Sequence, residues 1–195
     1  IFLNQEELKK LKEYKVPNNK NYLERVKDVF IFLCYSGLRY SDAYNLKRSD
    51  IKEDYFEITT VKTGDSLVIE LNKNTKEILE KYKEIPFPKN KALPVISNQK
   101  MNDYLRELAE LAGIDESIRT TFYKGNDRID EVTPKYKLLG THAGRRTFIC
   151  NALSLGIPIN VVMKWTGHSD YKSMKPYIDI ADNIKANAMK KFDSI

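Results

Sequence analysis

Cysteine and histidine are scarce in this 195-residue chain, with two of each, and tryptophan occurs once. Cys34 and Cys150 each fall inside a helix-like apolar pattern, so they read as reduced core thiols of a cytosolic protein rather than as a disulfide framework. No CxxC or HExxH spacing is present, and two histidines cannot build a His-rich zinc site. No apolar run approaches the length of a membrane span, which excludes a transmembrane helix. Internal repeats, low-complexity tracts and long linkers are missing too. Charge is plentiful but nearly balanced: the net value is +6, with a pI near 9.1. That excess permits a nucleic-acid partner without demanding one.

What remains is an ordinary globular composition, 42% apolar and 31% charged, in a chain long enough to bury a full core. Asn4 with Glu7 reads as a capping box that starts a short helix over 6–14. Tyr22, Val26, Val29, Phe30 and Leu33 follow helical spacing up to a stop at Ser36-Gly37, and a short helix follows from Ser41. The period then changes: 50–52, 55–61 and 66–71 are β-rich and alternate, which predicts a small three-stranded antiparallel sheet with a turn at Thr63-Gly64-Asp65. Helices are expected at 74–85, at 97–112 ahead of Gly113, and at 142–155, 158–164, 171–177 and 181–192. Between them, 119–123 and 132–138 suit a hairpin across Gly125-Asn126-Asp127, with Pro134 weakening its second strand. The fold class is thus α+β, mostly helical with one small sheet.

Both histidines lie in one window, Gly140 to Ile180. His142 precedes Arg145 by three residues, so both side chains share a helical face; a capping histidine beside a solvated arginine is the plainer account. His168 follows Gly167, which suits a tight turn that presents the imidazole, although it also suits a helix cap. Tyr177, nine residues further on, is one of twelve tyrosines. With an ordinary pKa of ~10 it needs a base or positive surroundings to act as a nucleophile. Upstream, Arg39 follows a helix stop, where its planar fork can meet a phosphate and Asp42 can steady it. Lys62 sits at a hairpin tip, where a lysine can reach across a cleft as a proton donor. Singly, each also fits a solvated surface residue.

In order and spacing, these residues resemble the catalytic domain of the tyrosine recombinases, or phage integrase family, from about Gln5 to Tyr177. Ser36-Gly37-Leu38-Arg39 with Asp42 is similar to the family's first arginine motif, and Lys62 before Thr63-Gly64 to its β-hairpin lysine. His142-Ala143-Gly144-Arg145 matches the His-x-x-Arg box, and Gly167-His168-Ser169 the Leu-Gly-His-Ser box. One departure is plain: Trp165-Thr166 stands where Met-Leu is usual. Six positions in order are far more specific than any one box. The stretches 34–42 and 95–100 further resemble integrases of Bacteroides-type mobile elements.

The resemblance implies a site-specific recombinase. Tyr177 would attack a DNA phosphodiester to give a 3′-phosphotyrosyl link. Arg39, Arg145 and His168 would hold the charged oxygens, Lys62 would protonate the departing 5′-oxygen and His142 would help remove the tyrosine proton. Neither ATP nor a metal or other cofactor is implied. The implied partner is double-stranded DNA, bound by a tetramer with an accessory DNA-bending protein, in a bacterial cytoplasm at the nucleoid. The chain, opening on Ile1 rather than Met, is expected to be a single catalytic domain (1–195) excised from a longer protein. Its N-terminal core-binding domain would be missing, and a tail helix over 181–195 would dock on a neighbour or on its own domain. A type IB topoisomerase, a chromosome-dimer resolvase and a catalytically dead DNA-binding module remain open readings.

Overall fold

The computed structural model describes residues 1–125 and 127–180. The tail helix expected over 181–192 lies outside the described residues. Helix α1 (Gln5–Glu13) starts at the capping box: Asn4 Oδ1 accepts the Glu7 N–H at 2.9 Å, and Glu7 accepts the Asn4 N–H at 2.9 Å. Helix α2 (Tyr22–Ser36) is the axis of the fold. Its spacing suggests an amphipathic helix, yet Phe30, Ile31, Phe32, Leu33 and Cys34 are all buried in succession. A helix that is apolar all round belongs in the middle of a core. The other elements are arranged about it: α3 (Tyr40–Asn45), α4 (Lys73–Tyr82), α5 (Asn98–Leu111), α6 (Thr141–Ser154), α7 (Ile159–Thr166) and α8 (Lys175–Ile180). Among the described residues no helix is long and apolar enough to cross a membrane.

Strands β1 (Tyr55–Thr59) and β2 (Ser66–Glu70) form an antiparallel hairpin with Phe56 opposite Ile69 and Ile58 opposite Leu67. Those four side chains are buried and the alternate ones exposed, as the period-two pattern requires. The strand expected at 50–52 does not form, so this sheet has two strands, not three. Asp50 bonds back to the Lys47 N–H at 2.9 Å and closes a 3-10 turn over Arg48–Asp50. Only a single bridge, Ile51 to Phe56, is left to pair. A second hairpin, β3 (Ser117–Lys124) with β4 (Asp127–Pro134), follows α5. Pro134 ends its strand opposite Ser117, a position where the missing N–H is tolerated, and 135–138 turn into a 3-10 helix instead of continuing the sheet.

The strongest helix contact joins α2 to α6. Gly144 makes it close: a Cβ there would sit 2.7 Å from the Leu33 Cβ and 3.5 Å from the Phe30 ring. The whole length of α6 then serves two cores. Ala143 packs into the main one around α2, while Ile149, Ala152 and Leu153 pack with Val162 of α7 and Met174 in a smaller one. Substituting Gly144→Ala should cost about 1–3 kcal/mol by overpacking this seam, read as a lower urea midpoint; wild-type stability would show that the helices can part at no cost.

Candidate active site

At its C-terminus α2 closes on Gly37 in a left-handed conformation (φ 71°), its N–H bonded to the Leu33 carbonyl at 3.0 Å. A side chain is impossible there, because a Cβ would lie 2.5 Å from the Phe148 ring. The chain then runs extended through Arg39, the residue before α3. Arg39 Nη1 approaches Asp42 Oδ2 at 3.8 Å, and both atoms are buried without a hydrogen-bond partner among the described residues. Asp42 uses its other oxygen to accept the Val61 N–H at 2.9 Å. The carboxylate that steadies Arg39 therefore also anchors the β1–β2 hairpin tip, one residue before Lys62. The tip is tightened by the Thr60 and Thr63 hydroxyls, 2.7 Å apart, and by a bond from the Gly64 N–H to the Thr60 carbonyl at 3.0 Å. Lys62 itself projects into solvent.

Helix α6 begins at Gly140, which has no side chain to cap it. Asn102 of α5 does so from outside, accepting the Thr141 N–H at 2.8 Å, and the Thr141 hydroxyl donates to Asn98 at 3.0 Å. This places His142 at the rim and Arg145 one turn deeper. Arg145 is 2% exposed. Its Nη1 donates to the Gly37 carbonyl at 2.9 Å, its Nη2 to the Thr166 carbonyl, and Nη2 lies 3.5 Å from His168 Nε2. His168 follows Gly167, where α7 ends left-handed (φ 62°) and a Cβ would meet the Leu67 side chain of β2 at 3.2 Å. The imidazole Nδ1 is 2.7 Å from the Thr166 hydroxyl.

Expected as one helix over 171–177, the next segment is a 3-10 turn (Tyr171–Ser173) followed by α8, because Asp170 caps the Lys172 N–H at 3.0 Å. Tyr177 is half-buried on α8 and packs against the smaller core. It lies near enough to Arg145 to influence that guanidinium electrostatically.

The six sequence-predicted residues lie near enough to influence one another electrostatically, and among them Arg145 and His168 come into direct contact. The surroundings are short of negative charge. Burial, and then Arg39, bring the Arg145 guanidinium down to about 10, against the opposing effects of Tyr177 and Asp42. His168 is brought down to about 4 by burial, then by Arg145, Arg39 and His142. His142 shifts the same way through partial burial, then Arg146, Arg145, Arg39 and Lys62. At neutral pH Arg145 is charged and both imidazoles are neutral. Two guanidiniums close enough to act on each other, with Asp42 paired to Arg39 alone, make a site suited to an anion. An apolar cavity of about 870 Å³, between α1, β2 and the C-terminal part of α6, includes none of the six residues. One contributor escapes the sequence pattern, Thr166; the only hint of it is the polar residue in an otherwise apolar box.

The model of the phage integrase family matches residues 2–183, and the chain belongs to that family. It is 25% identical over 193 residues to a tyrosine recombinase of Pseudothermotoga lettingae, covering 97% of this chain and 60% of the relative. To the tyrosine recombinase XerA of Saccharolobus solfataricus it is 24% identical, covering 96% and 58%. The chain therefore spans less than two thirds of the length of these relatives. Among solved structures its fold is similar to that of XerA recombinase (TM-score 0.68, 18% identity, 98% of this chain and 65% of that one). The lambda integrase catalytic core gives a TM-score of 0.60 at 18% identity, covering 87% and 92%.

The depressed imidazoles make a pH prediction. Because the ordinary histidine value is 6.5 and that of folded His168 about 4, the unfolded chain binds more protons in between. Stability contributed by neutral His168 is therefore complete above about 6.5 and is lost as the pH falls toward about 4. Urea midpoints across this range should fall less steeply for His168→Gln than for wild type; parallel slopes would refute the assignment.

Proposed function

We propose that this chain is the catalytic domain of a site-specific DNA recombinase that joins a DNA 3′-phosphate to Tyr177. The observation that carries the reading is two neighbouring guanidiniums that act on each other, Arg145 buried on two backbone carbonyls and Arg39 beside Asp42, with an Arg39 nitrogen buried and unpartnered among the described residues. A phosphodiester supplies the missing negative charge. Membership of the phage integrase family supports it. So does lambda integrase, whose solved structures include a dimer bound to a COC′ core site.

In this reading the Tyr177 hydroxyl oxygen attacks phosphorus, and the bond from phosphorus to the 5′-oxygen breaks. The tyrosine proton passes to His142, which partial burial and then its cationic neighbours keep neutral and so able to accept it. Lys62, exposed on its anchored hairpin tip, gives a proton to the leaving oxygen. One phosphoester replaces another, so rejoining is the same reaction reversed with a different 5′-hydroxyl. Arg39 and Arg145 bear on the non-bridging oxygens, where charge grows in the transition state. Their orientation is fixed in advance, which is where such donors gain most. Double-stranded DNA is the proposed partner, with four copies assembling on it, helped by an accessory DNA-bending protein. The stretches 34–42 and 95–100 favour an integrase of a Bacteroides-type mobile element.

A nicked suicide DNA substrate tests the chemistry. The intact protein should form a covalent adduct that survives denaturing gels, Tyr177→Phe should form none, and Arg39→Ala should slow the adduct by about 10²–10³-fold. An adduct with Tyr177→Phe would overturn the nucleophile assignment; absence of any adduct from wild type would favour a DNA-binding module.

A further inference from the structure

Thr166 stands where the family box usually carries an apolar residue, and it is fully buried beneath His168. Its hydroxyl oxygen has three near neighbours: the Val162 carbonyl at 2.7 Å, the Met163 carbonyl at 3.4 Å and His168 Nδ1 at 2.7 Å. A hydroxyl has one proton to donate. The carbonyls can only accept, and the Val162 carbonyl lies one helical turn back in ideal reach, so the proton goes there. What the hydroxyl then offers to Nδ1 is a lone pair, and Nδ1 must bear the hydrogen. On the other side of the ring, Nε2 faces the Arg145 Nη2 donor at 3.5 Å, which suits an unprotonated nitrogen. Both contacts select the same tautomer.

We propose that Thr166 is a positioning residue for His168: its buried hydroxyl fixes the imidazole with the hydrogen on Nδ1 and the Nε2 lone pair turned toward Arg145. The ring is thereby held at the angle needed to face whatever Arg145 and Arg39 hold. Burial first, and then the charged and titratable groups around it, Arg145 and His142 from α6 and Arg39 from the junction before α3, keep His168 neutral without DNA. In this tautomer Nε2 has no hydrogen to give. His168 becomes a donor to a phosphate oxygen only after Nε2 takes up a proton, which the arriving phosphate charge favours, while Nδ1–H stays on Thr166. The catalytic part of this inference rests on the reading of the site as a phosphoryl-transfer centre; the placement of the hydrogen does not.

Nitrogen-15 NMR of histidine-labelled intact protein reads the placement directly, with His142→Gln used to tell the two histidines apart. Wild type and Thr166→Ser should show His168 protonated at Nδ1, whereas Thr166→Val, nearly the same shape, should lose that preference. Thr166→Ala provides the same reading should the valine variant fold poorly. On the suicide substrate, Thr166→Val should form adduct about tenfold or more slowly, the size expected when a buried donor loses its acceptor, with Thr166→Ser close to wild type. Loss of an acceptor for the charged ring also lowers its pKa with DNA bound, so the decline in rate with rising pH should move to lower pH. Retention of the Nδ1 form and the wild-type rate by Thr166→Val would overturn the proposal, as would a serine variant as slow as valine. An adduct formed by Tyr177→Phe would sink the reading of the site while an intact tautomer preference still upheld the placement of the hydrogen.

Discussion

The buried guanidinium of Arg145 is the interaction on which the rest depends. A charge taken out of water is costly unless its donors are met, and here two are met by backbone carbonyls, Gly37 and Thr166. Those carbonyls belong to segments that lie 108 and 21 residues away in sequence, the end of α2 and the end of α7. One side chain therefore sets the distance between the two turns that carry Arg39 and His168. Both carbonyls are available only because their helices are cut off sharply, α2 by left-handed Gly37 and α7 by left-handed Gly167. The glycines serve the arginine, and the arginine in turn closes the site.

Electrostatics adds a second constraint. Arg39 and Arg145 disfavour each other, and Asp42 offsets part of that repulsion from 3.8 Å, too far to accept a hydrogen bond from Arg39. The same carboxylate is bound to the Val61 N–H, so the element that relieves the repulsion also fixes the hairpin beside which Lys62 projects. Folding energy, mostly from the α2-centred core, holds these cations together in the absence of the anion they suit. In such a site the donors do not need to reorganise when charge develops, which is what makes fixed dipoles and cations effective in catalysis.

Much of this was legible beforehand, for identifiable reasons. The helices begin and end where local chemistry dictates: the Asn4–Glu7 box, Gly37, Gly113 and Gly167 act over three or four residues, a range that sequence displays directly. Strand 50–52 misled because β-rich composition says nothing of a competing side-chain bond, and Asp50 prefers its own turn. The encirclement of α2 was invisible as well, since the partners that bury Phe32 and Cys34 lie elsewhere in the chain. At the site, residue types and spacing pointed to Arg39, Lys62, His142, Arg145, His168 and Tyr177. The bonds of Arg145 to two distant carbonyls have no sequence signature, because backbone acceptors look alike in every sequence, and Thr166 shows only as a polar residue in an apolar box.

The division of the core decides how Tyr177, the proposed nucleophile, is held on its short helix. Tyr177 does not pack on the α2 core that holds the two arginines; it packs on the smaller cluster of Ile149, Ala152, Leu153, Val162 and Met174. The element common to both is α6, whose first turns carry His142 and Arg145 and whose last turns supply Ile149, Ala152 and Leu153. An α-helix is stiff over this length, rising about 1.5 Å per residue with every turn hydrogen-bonded. The position of the tyrosine relative to the arginines is therefore set by how α8 and Met174 sit on the far end of α6, not by contacts at the site itself. Repacking of the small core would move Tyr177 while leaving the cation cluster in place, so in the proposed reaction the attacking group is adjustable separately from phosphate binding.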